Sequence, residues 1–186
     1  MHILNYYFTP FAVILILFAI FFSQPEKEVT YISFGLLAAA FVLNIWLNSN
    51  IYRFMRWSRH IRAVTVWLNL AVSAALFYLL AAYWSSMWLL FLTAPAASAM
   101  FMKKWQVFGV ALTSALLMIS LYLYKGAASM LAMDPELTGM SAALAQVLGN
   151  TQQLAIAATQ AIFIIFFSMF AAAMTEMTLK VRDSMR

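Results

Sequence analysis

The sequence predicts an all-α polytopic membrane protein with six transmembrane helices, both termini cytoplasmic, and one short outer amphipathic helix before the sixth span. Three observations lead there. Of the 186 residues, 66% are hydrophobic and 9% charged, whereas an ordinary globular domain is about 45–50% apolar and about 25% charged. Six stretches approach the roughly 20 mainly apolar residues that cross a bilayer. The 11 basic and 6 acidic residues lie outside those apolar cores or at their edges, and the basic ones gather on one side. The spans occupy nearly the whole chain, which leaves no space for a soluble domain of about 100 residues. Residues 1–173 are therefore expected to form one membrane domain, and residues 174–186 a cytoplasmic helical extension of the sixth span.

The spans are expected at residues 6–22, 29–47, 63–83, 84–102, 105–124 and 151–173. The first has neither a basic leader nor a small-residue cleavage site, so it reads as a retained helix. Lysine and arginine orient the set. Arg53, Arg56, Arg59, Arg62, Lys103, Lys104, Lys180, Arg182 and Arg186 fall on one side, and Lys27 and Lys125 on the other. The first side is expected to be cytoplasmic. Tyr83 and Trp84 mark a tight outer turn, and Trp105 and Tyr124 bracket the fifth span as interfacial aromatics do.

Within the fourth span, "TAPAASAM" places Pro95 in mid-membrane, where it removes a backbone donor and kinks a helix. The surrounding alanines and Ser98 admit a close neighbour and help satisfy the freed carbonyl. Between the fifth and sixth spans, Asp134 reads as an N-cap, Pro135 as a first helical residue and Gly149 as a terminator. Leu137, Met140, Leu144 and Leu148 recur at helical spacing, which predicts an amphipathic helix on the outer surface.

The sixth span raises the sharpest chemical question, because "NTQQLAIAATQAIFIIFFSMF" carries amides into a segment suited to lipid. At 100° per residue Gln146, Asn150, Gln153 and Gln160 share one face. Such a stripe must face protein or water. Either it bonds to neighbouring helices, with Asn44 and Asn48 of the second span or Thr65, Asn69 and Ser73 of the third as partners, or it lines an outward-open pocket for a small polar ligand.

Other constellations are bland or absent. "RFMRWSRHIR" spaces Arg53, Arg56, Arg59 and Arg62 by three, but a voltage sensor needs intramembrane counter-charges, and spans one to three have none. The stretch reads instead as a cytoplasmic connector whose arginines, with Lys103 and Lys104, meet anionic headgroups. The charge of +5 thus points to lipid and not to nucleic acid. Cysteine is absent and His2 and His60 are the histidines, which leaves no metal site, no haem ligation by paired histidines within the membrane and no expected cofactor. Proton-relay residues, "HExxH", "GxSxG" and the P-loop are missing too, so no enzyme is expected.

After the sixth span the chain continues "AAAMTEMTLKVRDSMR" without proline or glycine, so helix is expected to run on into the cytoplasm. Phe170, Met174, Met177, Val181 and Ser184 alternate steps of four and three, the spacing of a coiled-coil seam. Glu176 and Lys180 form a favourable i,i+4 pair. Met174, Met177, Lys180, Val181 and Arg182 are the residues expected to couple to a partner or to a second copy of the chain.

Six spans with a last helix flowing into "MTEMTLKVRDSMR" resemble the membrane sensor region of multi-span bacterial sensor histidine kinases. The resemblance is architectural. It implies a dimer in the bacterial inner membrane whose last membrane helix passes a signal to a cytoplasmic output domain. No phosphoacceptor-histidine region or ATP-binding domain follows, so kinase activity is not carried over, and the expectation is an input part of something longer or a module acting through a separate partner. Six spans in so short a chain are also similar to the vitamin-capturing subunits of energy-coupling-factor transporters, although "FAVILILFAIFF" lacks their small-residue docking motif. Three functions are therefore weighed: a non-enzymatic signal-input or scaffold module, a substrate-binding transporter subunit, and a structural subunit of a membrane assembly. The last accords with the 13 methionines, which fill irregular contacts between helices.

Overall fold

A backbone in hydrocarbon must satisfy its polar groups within its own segment, which favours helices. The computed structural model describes residues 9–50, 58–133 and 139–184, and no strand occurs among them. The helices are α1 (Thr9–Ser23), α2 (Lys27–Asn50), α3 (Ser58–Leu80), a 3-10 segment (Ser85–Leu92) running into α4 (Thr93–Ser98), then α5 (Lys104–Met133), α6 (Met140–Gly149) and α7 (Thr151–Ser184). Four stretches are long and apolar enough to cross a membrane: Lys27–Leu47, Ala63–Leu80, Lys104–Met133 and Thr151–Ser184. Pro10–Ser23 and Met140–Gly149 are shorter apolar helices.

Large apolar side chains cover the outside of the bundle. Phe21, Tyr31, Trp105, Ile162 and Phe166 all stand exposed. A soluble monomer rarely presents such continuous apolar surface; here its surroundings are lipid. Aromatic rings cluster where α1 ends, with Phe18 and Phe22 set edge-on to Trp84 at 6.2 and 5.8 Å. The Ser23 hydroxyl donates to the Tyr83 carbonyl at 2.8 Å, fastening the end of α1 to the turn after α3. Gln24, at φ 43°, closes α1 just before Pro25.

The fourth apolar stretch departs from the expected continuous helix. Its first eight residues are 3-10 and only six more are α-helical. Pro95 cannot donate to the Phe91 carbonyl four residues earlier, which removes one α-helical bond where the 3-10 segment meets α4. The segment is also the most enclosed part of the chain, with Leu90, Phe91, Leu92 and every residue from Ala94 to Ala99 buried. Eight residues is long for a 3-10 helix. Irregular backbone is tolerated at membrane depth when it is buried in protein, and this segment packs among α1, α3, α5 and α7.

The ends of other elements shift. α3 already includes Ser58, ahead of the expected Ala63, and stops at Leu80. α5 runs on from Tyr124 to Met133 because nothing in "KGAASMLAM" breaks it and α6 packs against it. Gly126 admits that contact: a Cβ there would sit 3.3 Å from both methyls of Val147. α6 accordingly buries Ala143 and Val147, while Met140 and Leu148 of the expected apolar face remain exposed. The expected cap at Asp134, together with Pro135, Glu136 and Leu137, lies outside the described residues.

α5 and α7 run antiparallel, with Lys104 beside Glu176 at one end and Gly126 beside the wall formed by Gln153 at the other. At about 1.5 Å per residue, Lys104 and Lys125 are ~32 Å apart along α5, and Gln153 and Glu176 ~35 Å apart along α7. These two polar planes match the roughly 30 Å hydrocarbon core of a bilayer. The buried face of α7 consists of Ala157, Ala161, Ile164, Ser168 and Ala172, all but Ile164 small residues that let two backbones approach.

Candidate functional site

Two regions of the described bundle bring polar side chains from separate helices together, and Gln153 of α7 borders the second of them. The first surrounds the 3-10 segment. The Ser114 hydroxyl of α5 donates to the Phe91 carbonyl at 2.7 Å, supplying the bond that Pro95 cannot. The Leu90 carbonyl accepts from Ser73 of α3 at 3.1 Å and from the Thr93 hydroxyl at 2.6 Å. Ser98 donates to the Pro95 carbonyl at 2.7 Å. Hydroxyls from α3, α4 and α5 thus satisfy the Leu90 and Phe91 carbonyls of the 3-10 segment.

Beside this network, the Asn44 side-chain amide donates to Asn69 Oδ1 at 2.8 Å. A cavity of about 50 Å³ adjoins the pair, lined also by Ser73, Leu90 and Thr93. Asn44 Oδ1 is buried without a partner, as is Ser33 Oγ. The second-span and third-span amides therefore bond to each other, and the expected partnership of Asn44 or Asn69 with the amides of the last span is not made.

The glutamines of α7 lie elsewhere. Gln153 and Gln160 are half-buried and flank the face that packs on α5. Asn150 is exposed and caps the helix, its Oδ1 accepting the Gln153 backbone N–H at 3.2 Å. Gln146 belongs to a different helix, because Asn150 at ψ 87° separates α6 from α7. Treating residues 146–160 as one helix is thus corrected by a break at Gly149 and Asn150. The Asn48 side chain lies outside the described residues.

Gln153 forms part of the second and larger region, a cavity of about 590 Å³ at the end of the bundle where α5 meets α6. Tyr78 of α3, Tyr122, Tyr124, Lys125 and Ser129 of α5 and Val147 of α6 complete its wall. The Lys125 ammonium stands 5.1 Å from the Tyr78 ring centre, within cation–π range. Ser129 donates to the Gly126 carbonyl at 2.8 Å, leaving its oxygen free to accept. Sequence reasoning weighed an outward-open pocket on the face of Gln153, but it left Lys125 and Tyr124 at the edge of the fifth span and did not bring them or Tyr78 to that pocket. The signal within one helix was "YLYK", whereas Tyr78 and Gln153 join only through tertiary packing.

At the opposite end, Glu176 bridges Lys104 at 2.7 Å and Lys180 at 3.1 Å. The i,i+4 pair follows the sequence expectation, and the longer-range bond to Lys104 ties α7 to the start of α5. Met174, Met177 and Val181 are exposed, at 49%, 63% and 56%, and Lys180 and Arg182 stand in the open as well. Lys103 is exposed beside Lys104. Arg53 and Arg56 lie outside the described residues; Arg59 and Arg62 belong to α3, and their side chains are likewise outside the description. No cluster of metal-ligating side chains occurs among the described residues. Comparison with protein-family models, curated proteins and solved structures found no match to this chain.

Proposed function

We propose that the chain is a signal-input or scaffold module of the bacterial inner membrane, without catalysis of its own, in which the last helix couples the outer end of the bundle to a cytoplasmic output or partner. One observation carries this reading. α7 is a single uninterrupted helix of 34 residues whose Gln153 borders the large cavity and whose Glu176 is held by Lys104. A helix of that length spans about 51 Å, so a displacement at one end reaches the other through a stiff rod. In this reading the chain crosses six times, the 3-10 segment and α4 forming the fourth crossing, and both termini are cytoplasmic. Nine of the eleven lysines and arginines then lie inside, as the positive-inside rule requires, and Lys103, Lys104 and the arginines before Ala63 meet anionic headgroups.

The exposed line of Met174, Met177 and Val181 is the surface through which the tail docks on a second copy or another helix. The chain has no native cysteine, so single cysteines report contacts cleanly. In native membranes, Met177→Cys and Val181→Cys are expected to crosslink efficiently, and Leu179→Cys, half a turn away, is not. Equal crosslinking at all three positions, or none at any, removes the seam and the coupling with it.

A second reading, solute capture by a transporter subunit, is favoured by the volume of the outer cavity. It shares the ligand site but needs no seam on the tail, so the crosslinking pattern separates the two.

A further inference from the structure

The outer cavity has a chemical character that narrows what can occupy it. Its floor and sides are Phe77, Tyr78, Ala81, Ala82, Met130 and Val147, a mostly apolar and aromatic lining. Its volume of about 590 Å³ falls within the roughly 300–1,000 Å³ usual for small-molecule sites. The charged and amide groups are few: the Lys125 ammonium from α5 and the Gln153 amide from the first turn of α7, with the Ser129 hydroxyl of α5 beside them in the lining. Tyrosine hydroxyls add donors without adding charge. Among the described residues no carboxylate lines the cavity or pairs with Lys125.

We infer that this cavity binds an amphiphile with one anionic head and an apolar body, the head on Lys125 and Gln153 and the body against Phe77, Tyr78, Met130 and Val147. A half-buried ammonium with no carboxylate partner among the described residues is best satisfied by an anion that brings its own apolar cover. The ring of Tyr78 holds the ammonium over the cavity but cannot neutralise it. Lys125 lies ~32 Å along α5 from Lys104, at the level of a membrane interface, where such a molecule arrives either from the aqueous side as a free acid or laterally as an anionic lipid. Both sources present the same chemistry. Because Gln153 belongs to α7, occupancy draws the start of that helix toward α5. The inference deepens the coupling reading and rests on it for the consequence at the tail, whereas occupancy is measured independently.

The experiment uses the full chain in a nonionic detergent, with binding read by native mass spectrometry and calorimetry. The probes are octanoate against octanol, and dioleoylphosphatidylglycerol against dioleoylphosphatidylcholine. One equivalent of the anionic member of at least one pair is expected to bind about tenfold or more tightly than its control, the strength of a charge-assisted contact. Lys125→Gln removes that preference, and Lys125→Arg, which keeps the charge, retains it. Ala82→Trp at the exposed rim fills the space and blocks both members of the pair, which guards against a Lys125 variant that merely misfolds. Preference in the octanoate arm identifies a free acid and preference in the lipid arm a membrane component; either supports the inference. No preference for the anion, a preference that survives Lys125→Gln, or binding unaffected by Ala82→Trp overturns it. Selective binding that leaves the tail crosslinks unchanged keeps the site and discards the coupling.

Discussion

A proline and a serine on different helices show how single residues set the centre of this molecule. Pro95 withholds a donor from Phe91, and Ser114 supplies one at 2.7 Å. Ser114→Ala is expected to lower stability by about 1–2 kcal/mol, the cost of removing a buried hydrogen-bond partner, measured as unfolding in mixed micelles. Ser73→Ala is expected to cost less, since the Leu90 carbonyl keeps the Thr93 hydroxyl. The sharper check is a double-mutant cycle. Pro95→Ala restores a backbone donor, so Ser114→Ala in that background is expected to lose most of its effect, giving a coupling of about 1 kcal/mol. Strict additivity would show that the hydroxyl does not substitute for the missing N–H. Pro95 and the helpful neighbourhood of Ser98 are legible in the sequence. Ser114 is not, because nothing in "ALTSALLMIS" tells which helix it meets.

Helix faces set the next scale. α7 packs through Ala157, Ala161, Ile164, Ser168 and Ala172 while Ile162, Phe163, Phe166 and Phe170 look outward. This reverses the soluble pattern, in which large side chains go inside. Lipid is as apolar as leucine, so helix association rests on close packing and small residues mark the contact. Ala161→Leu is therefore expected to destabilise the bundle by about 1–3 kcal/mol through overpacking. Ile162→Ala exchanges one lipid contact for another and is expected to change stability by under about 0.5 kcal/mol. The reverse ranking would mean that α7 presents its other face to α5. The amides at Gln153 and Gln160 lie at the edge of this alanine face, so they indicate its direction without forming it. Asn150 contributes at the helix start as a cap, a role its position before "TQQL" already permitted.

At the scale of the whole molecule, two polar planes separated by a bilayer's thickness organise the fold. Lys104, Glu176 and Lys180 define one, and Lys125 with Gln153 the other. The ion pairs are exposed, and exposed pairs stabilise by little; what they do is tie the far part of α7 to the start of α5. Orientation across the bilayer is directly measurable. Single cysteines at Glu26 and Gln146 are expected to react with an impermeant maleimide added to intact cells, and those at Lys103 and Asp183 only after permeabilisation. Labelling of Lys103→Cys from outside would reverse the proposed orientation.

What the sequence by itself determined is that the chain is all-helical and suited to lipid. Apolar content, span length and the placement of charge are properties of consecutive residues, and in hydrocarbon they leave the backbone little choice but helix. Helical spacing also located the Glu176–Lys180 pair, which is local. Tertiary structure alone decided which helix is central, why its backbone tightens to 3-10, and which polar groups meet. The Asn44–Asn69 bond, the Ser114 bridge and the cavity shared by Tyr78, Lys125 and Gln153 each join residues from separate helices. Hydrophobic patterning says that a face is buried but not against what, because helices in lipid choose partners by shape and by the few polar groups they must satisfy.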